Sequence, residues 1–377
     1  MGEQINKILP FTLIFVLLNC STADHRKEEK DAKPQDHRIL LKDLGEINIS
    51  PGRSVLLKEL ETEALKDVDM LFKIANSFYD SGNFSEAGKL YSDILAINPH
   101  YKNAAACHFN LGLIALKKND WKESVFRFRK ATPMFIRTED VRDSWFLLME
   151  SLKNKGEWEK VINESDAFLR SPRLSGKLEK EHEIEAGLRK AEAFVMSDVE
   201  KEGVDLANYF IYMIRKGKSR RDLLYDNNYA YANFILGLAE SRKFKETRLK
   251  ETEESLLEKC KIILSAQSHY LKAIQTGVIY WTNASAFEIS KLYTSLYQEM
   301  TSMPVPETLN EEEAEVYKCE LWKKISGLLS RPRRYLKKSI DAAVKINESN
   351  QYTEKSFKLL QSIEEVYSKR ESECRDY

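Results

Sequence analysis

His182 and Glu183 open like a zinc-binding helix motif, in which two histidines four residues apart reach one metal from the same helix face. Ala186 stands where the second histidine is needed, so no metal pair forms there. Gly217, Lys218 and Ser219 imitate the end of a phosphate-binding loop, but Tyr212 replaces its first glycine and a predicted helix, not a strand, leads into it. Cys107, Cys260, Cys319 and Cys374 are too widely spaced for CxxC metal or redox chemistry. Outside a reducing cytoplasm two of them could pair, in any of three connectivities if all four did; buried apolar thiols are the other reading. The six histidines are scattered: His25 and His37 fall in a charged N-terminal stretch, and His108 falls on a predicted core position. No serine or cysteine sits in a recognisable nucleophile setting. The chain is therefore read as a non-enzyme, with no catalytic residue, metal or cofactor.

Those negatives direct attention to what the chain builds. Of its 377 residues, 59 are Lys or Arg and 59 are Asp or Glu, and this balance argues against a surface made to coat nucleic acid. Only 14 residues are Gly and 9 are Pro, while 31% are charged and 42% hydrophobic. Few turns and many amphipathic helices follow, which excludes an all-β sandwich or a doubly wound nucleotide-binding sheet.

The run Ile8 to Leu18 is apolar except for Pro10 and Thr12, and follows Lys7. At ~1.5 Å per residue it falls short of a ~30 Å hydrocarbon core, so it reads as the apolar part of an export signal. Leu17, Leu18, Asn19 and Cys20 resemble the lipobox of bacterial lipoproteins, in a relaxed form similar to that of spirochaetes. The resemblance implies cleavage before Cys20, acylation of Cys20 by palmitate-like chains, and a place in the bacterial cell envelope, on the inner or the outer membrane. An ordinary secretory signal cleaved near Ala23 is the alternative. Residues 1–19 are thus predicted as signal peptide, 20–38 as lipidated cysteine and highly charged tether, and 39–67 as a lead-in.

Beyond it, residue types return every 37 positions. Leu71, His108 and Trp145 start an apolar face, continued by Ile74, Leu111 and Leu148, then Ala75, Gly112 and Met149, then Phe78, Ala115 and Leu152. Gly82, Asn119 and Gly156 mark a turn. A second helix follows with Phe84, Trp121 and Trp158, then Ala87, Ser124 and Val161, then Tyr91, Phe128 and Ser165; Pro99 and Pro172 close the first and third units. This pattern resembles the tetratricopeptide repeat. The resemblance implies an all-α fold, an α-solenoid of antiparallel helix pairs wound as a right-handed superhelix. Three repeats are predicted over 68–175, with a looser crossing in the third because Met149 and Val161 replace small residues. Over 176–377 degenerate helical repeats with insertions are predicted. Glu181 to Val195 pairs with Val199 to Ile214, and Tyr229 to Ser241 pairs with Cys260 to Ile274 across a charged helix, 242–258. Ser285 to Met300 pairs with Tyr335 to Ile346 across an acidic loop, 304–315, and a capping helix, Tyr352 to Tyr367, ends the array.

In this family ligands lie on the face made by the first helix of each pair. Phe72, Phe109 and Phe146 share one offset there, beside Asn76, Tyr79, Leu113, Leu116, Glu150 and Lys153. Either the three rings form an apolar strip that docks a protein or peptide, or they are buried against the neighbouring repeat. Asn76 and Asn110 occupy the asparagine slots of a clamp that some relatives use for a C-terminal dicarboxylate. Phe72, Asp143 and Leu147 occupy its basic slots, so that ligand is not expected. Two basic clusters, Arg215 to Arg221 and Arg331 to Lys338, suit anionic headgroups or an acidic partner, or simply solvate helix ends. The function expected is a membrane-anchored scaffold for protein–protein interaction in the envelope, with a periplasmic carrier or chaperone for a small molecule or lipid as the alternative. Its partners are a protein or peptide and the membrane, reached through the N-terminal lipid; nucleic acid is not among them.

Overall fold

A computed structural model describes residues 67–197, 199–216, 223–348 and 350–375. The signal, Cys20, the tether, the lead-in and Gly217 to Ser219 lie outside the described residues. Every described element is an α-helix or a connection between helices. The chain divides into two bodies, one ending at Ala193 and the other beginning at Phe194.

In the first body the helices are α1 (Val68–Asp80), α2 (Phe84–Ile97), α3 (Ala104–Lys117), α4 (Trp121–Met134), α5 (Thr138–Asn154), α6 (Trp158–Leu169) and most of α7 (Lys180–Met196). From α1 to α6 each helix packs on the next in chain order. This is the arrangement of stacked antiparallel helix pairs. Side chains start several of the helices: Asp67 accepts from the amides of Asp69 and Met70, Asn83 from Glu86, and Asp120 from Glu123. The turns inside the pairs use Gly82, Asn119 and Gly156, all with φ between +57° and +79°. That left-handed backbone costs glycine nothing and asparagine little, which is why those types recur every 37 residues.

Where the two helices of a pair cross, side-chain sizes are matched. A Cβ on Gly112 would stand 2.8 Å from the Phe128 ring. At the same crossing of the third pair the sizes are exchanged: Met149 fills the first-helix position, Ser165 the second-helix position, and the Ser165 hydroxyl donates to the Met149 sulfur at 3.2 Å. Both are fully buried. The crossing predicted to loosen at Met149 is thus closed by a smaller partner.

The second body contains α8 (Glu200–Lys216), α9 (Leu223–Glu246), α10 (Glu253–Ile274), α11 (Ile279–Thr301), α12 (Glu311–Ile325), α13 (Gly327–Lys345) and α14 (Gln351–Glu373). Helices α8 to α11 again pack in chain order, and the α9–α10 crossing repeats the first-body device: a Cβ on Gly237 would meet the Tyr270 ring at 2.5 Å. The charged stretch 242–258 is not one helix. It is shared between the end of α9 and the start of α10, broken where Thr252 caps α10 by accepting from the Ser255 amide. Part of the predicted acidic loop is helical: Asn310 and Glu313 form a reciprocal capping box that starts α12. From α11 on, packing is no longer by chain order alone, because α11 touches α9, α10, α13 and α14 as well as α12, its neighbour in the chain. Cys319 of α12 and Cys374 at the end of α14 form a disulfide, while Cys107 and Cys260 are buried free thiols.

Candidate ligand-binding face

The three phenylalanines, for which an open apolar strip and burial stood as alternatives, are buried. Phe72, Phe109 and Phe146 are only 6%, 5% and 8% exposed. Each is boxed by a ring from its own second helix and by one from further along the chain, in the connection that follows for Phe72 and Phe109 and on α7 for Phe146. Phe72 lies 6.1 Å from Tyr91 and 5.8 Å from Tyr101; Phe109 lies 5.6 Å from Phe128 and 5.8 Å from Phe135. Phe146 lies 4.9 Å from Phe168 and 6.4 Å from the His182 ring. The strip reading is therefore corrected: each ring at this offset packs against other aromatic rings, edge-on for Phe109 and for Phe72 with Tyr101, tilted for Phe146.

Asn76 and Asn110 are likewise committed. The Tyr91 hydroxyl donates to Asn76 Oδ1 at 2.6 Å and accepts from Asn110 Nδ2 at 3.0 Å, tying α1, α2 and α3 together. Tyr79 is half-buried with its ring edge-on to Phe84 at 5.3 Å. Leu113, Leu116 and Leu147 remain half-buried against the core of α3 to α7.

At the next rungs the face turns charged. Arg189 of α7 reaches Glu150 at 3.0 Å and Glu185 at 2.9 Å, and its guanidinium lies 5.1 Å from the centre of the Phe146 ring. Lys153 pairs with Glu192 at 3.0 Å, and both are nearly buried. Loss of water alone would raise the Glu150 carboxyl, but Lys153 and Arg189 outweigh it and hold it below its ordinary value. Arg189 and Lys153 thus favour Glu150 as the carboxylate they hold. Residue reading missed Arg189 and Glu192. The signal was there: each stands 39 residues after an opposite charge, a spacing close to the 37-residue period.

Elsewhere the titratable groups are suited to packing. Burial, then the nearby Arg127 and Lys130, push the His108 imidazole down to about 4. Burial also lowers His182 and His269, and raises the thiols of Cys107 to about 12 and Cys260 to about 11. Such thiols are poor nucleophiles. Among the described residues no three His, Cys, Asp or Glu side chains converge as metal ligands. The face can thus offer half-buried leucines flanked by ordered charge, an arrangement suited to recognising a surface.

No protein-family model matches the chain, and no curated protein matches it. Solved structures with which it shares similarity include a tetratricopeptide repeat protein from Parabacteroides merdae ATCC 43184. That likeness has 13% identity and a TM-score of 0.39, over 79% of this chain and 99% of that one. Another is a TPR repeats protein from Bacteroides fragilis NCTC 9343, at 12% identity and a TM-score of 0.28, over 79% of this chain and 98% of that one.

Proposed function

We propose that the chain is exported, anchored to a membrane of the bacterial envelope through acylated Cys20, and works as a non-catalytic scaffold of tetratricopeptide type. On this reading residues 68–175 are three repeats, and their first helices, with α7, hold a protein or peptide partner. The observation that carries the docking reading is the face itself: Leu113, Leu116 and Leu147 are left half-buried beside the fixed Glu150–Arg189 and Lys153–Glu192 pairs. Apolar anchors flanked by oriented charge suit a partner of mixed character. Export has separate support in the Cys319–Cys374 disulfide, because such bonds persist in oxidising compartments.

In-cell crosslinking followed by capture tests the docking. Leu113→Glu together with Leu116→Glu should abolish the crosslinked species that wild type gives, while helicity stays unchanged; an identical crosslink pattern would overturn the assignment of this face. Detergent-phase partitioning tests the anchor. Wild type should enter the detergent phase and Cys20→Ala the aqueous phase, and equal partitioning would remove the lipid from the account.

A further inference from the structure

The second half of α13 and the start of α14 carry a surface that the scaffold reading does not use. Leu336, Ser339 and Ala343 point into the body, and the opposite side of α13 bears Arg334, Lys337, Lys338 and Lys345, all exposed. None of these four cations has an ion-pair partner among the described residues. Asp341 is the one acid on that stripe, with Glu348 following in the turn. By contrast Arg333, on the side toward α14, is consumed by Glu364 in a two-pronged pair of 2.9 and 2.6 Å. That pair ties α13 to α14, which pack against each other.

Three large apolar side chains of this hairpin are also exposed, Val344 on α13, Ile346 at its C-cap and Phe357 on α14. Val344 is 70% exposed, Phe357 60% and Ile346 48%. Helix-end solvation accounts for the cations but leaves the exposed aliphatic and aromatic groups of the hairpin without a role. An acidic protein segment would neutralise the lysines, and the polyglutamate arm of the test below distinguishes it. An anionic bilayer supplies both complements at once: a plane of phosphate for the cations, and the acyl boundary just beneath it for the apolar groups.

We propose that the α13–α14 hairpin is a lipid-surface contact that seats the second body on an anionic membrane. The contact is independent of Cys20 and adds to whatever anchor the N-terminus supplies.

Vesicle co-sedimentation of the full chain carrying Cys20→Ala isolates this surface from acylation. Vesicles with about 30% phosphatidylserine should retain the protein, pure phosphatidylcholine should not, and binding should fall as salt rises. Lys337→Glu with Lys338→Glu should lower the partition coefficient at least about tenfold. Phe357→Ser with Val344→Ser should lower it several-fold while salt sensitivity persists. Circular dichroism confirms that each variant is folded; these exposed positions are chosen so that it will be. Binding that ignores lipid charge, or that survives the charge reversal, overturns the proposal. So does retention by soluble polyglutamate with no retention by vesicles, which would give the patch to an acidic protein.

Discussion

Tyr91 shows how much of this fold is decided by single atoms. Its ring is fully buried, and its hydroxyl is held between two amides from successive first helices. Removing the oxygen leaves a buried acceptor on Asn76 and a donor on Asn110 without their partner. Leaving such groups unmatched costs about 1–3 kcal/mol, more than an average hydrogen bond contributes. Tyr91→Phe should therefore lower the unfolding free energy by about 2 kcal/mol in urea titration with little change in the slope. A loss below about 0.5 kcal/mol would mean that water replaces the hydroxyl. The same pair of asparagines, read from sequence alone, matched two slots of a ligand clamp that the missing basic residues ruled against; nothing in the linear pattern says that Tyr91 reaches both.

At the level of the helix pair, the crossing glycines decide the outcome. Alanine in place of glycine would by helix propensity stabilise an exposed helix by about 1 kcal/mol. At Gly112 the new methyl would sit 2.8 Å from the buried Phe128, whose ring also packs edge-on against Phe109. Overpacking of that kind costs about 1–3 kcal/mol, so Gly112→Ala should lower the thermal midpoint. Gly237→Ala should lower it further, since Tyr270 is closer at 2.5 Å and held by Ser241 at 2.8 Å. Calorimetry on the two variants reads the sign directly: a rise at either site would show that the ring has room to move. Much of this layer was legible in advance. The turn residues and the first-helix phenylalanines recur every 37 residues through all three units, and the small crossing positions through the first two, because a similar crossing is rebuilt each time. Two things were hidden. The burial of Phe72, Phe109 and Phe146 depends on Tyr101, Phe135 and His182, which lie outside any common offset. Helix α12 begins from a local cap, Asn310 with Glu313, inside a stretch whose acidity had suggested a loop.

Across the whole chain the titratable groups give a pH response that can be signed. His108 and His182 lie in the first body and His269 in the second, and burial depresses all three. The unfolded chain therefore takes up protons that the folded chain refuses, and stability must fall as pH drops below the ordinary imidazole value of 6.5. For His108 the loss continues down to about 4, its folded value. The imidazole Nδ1 lies 3.3 Å from Arg127, so in the folded state it accepts a hydrogen bond, and protonation would place two cations together. Much of this window lies above the ordinary carboxylate values of 3.8 and 4.5, so the histidines dominate its upper part. Carboxylates held low by cations, Asp69, Glu150 and Glu157, add their own loss only at greater acidity; Asp140, raised by burial, opposes it slightly. Urea unfolding between pH 7 and 5 should show stability declining for wild type and declining less steeply for His108→Gln, which keeps an acceptor but cannot charge. An unchanged slope in that variant would place the proton uptake at His182 and His269 instead.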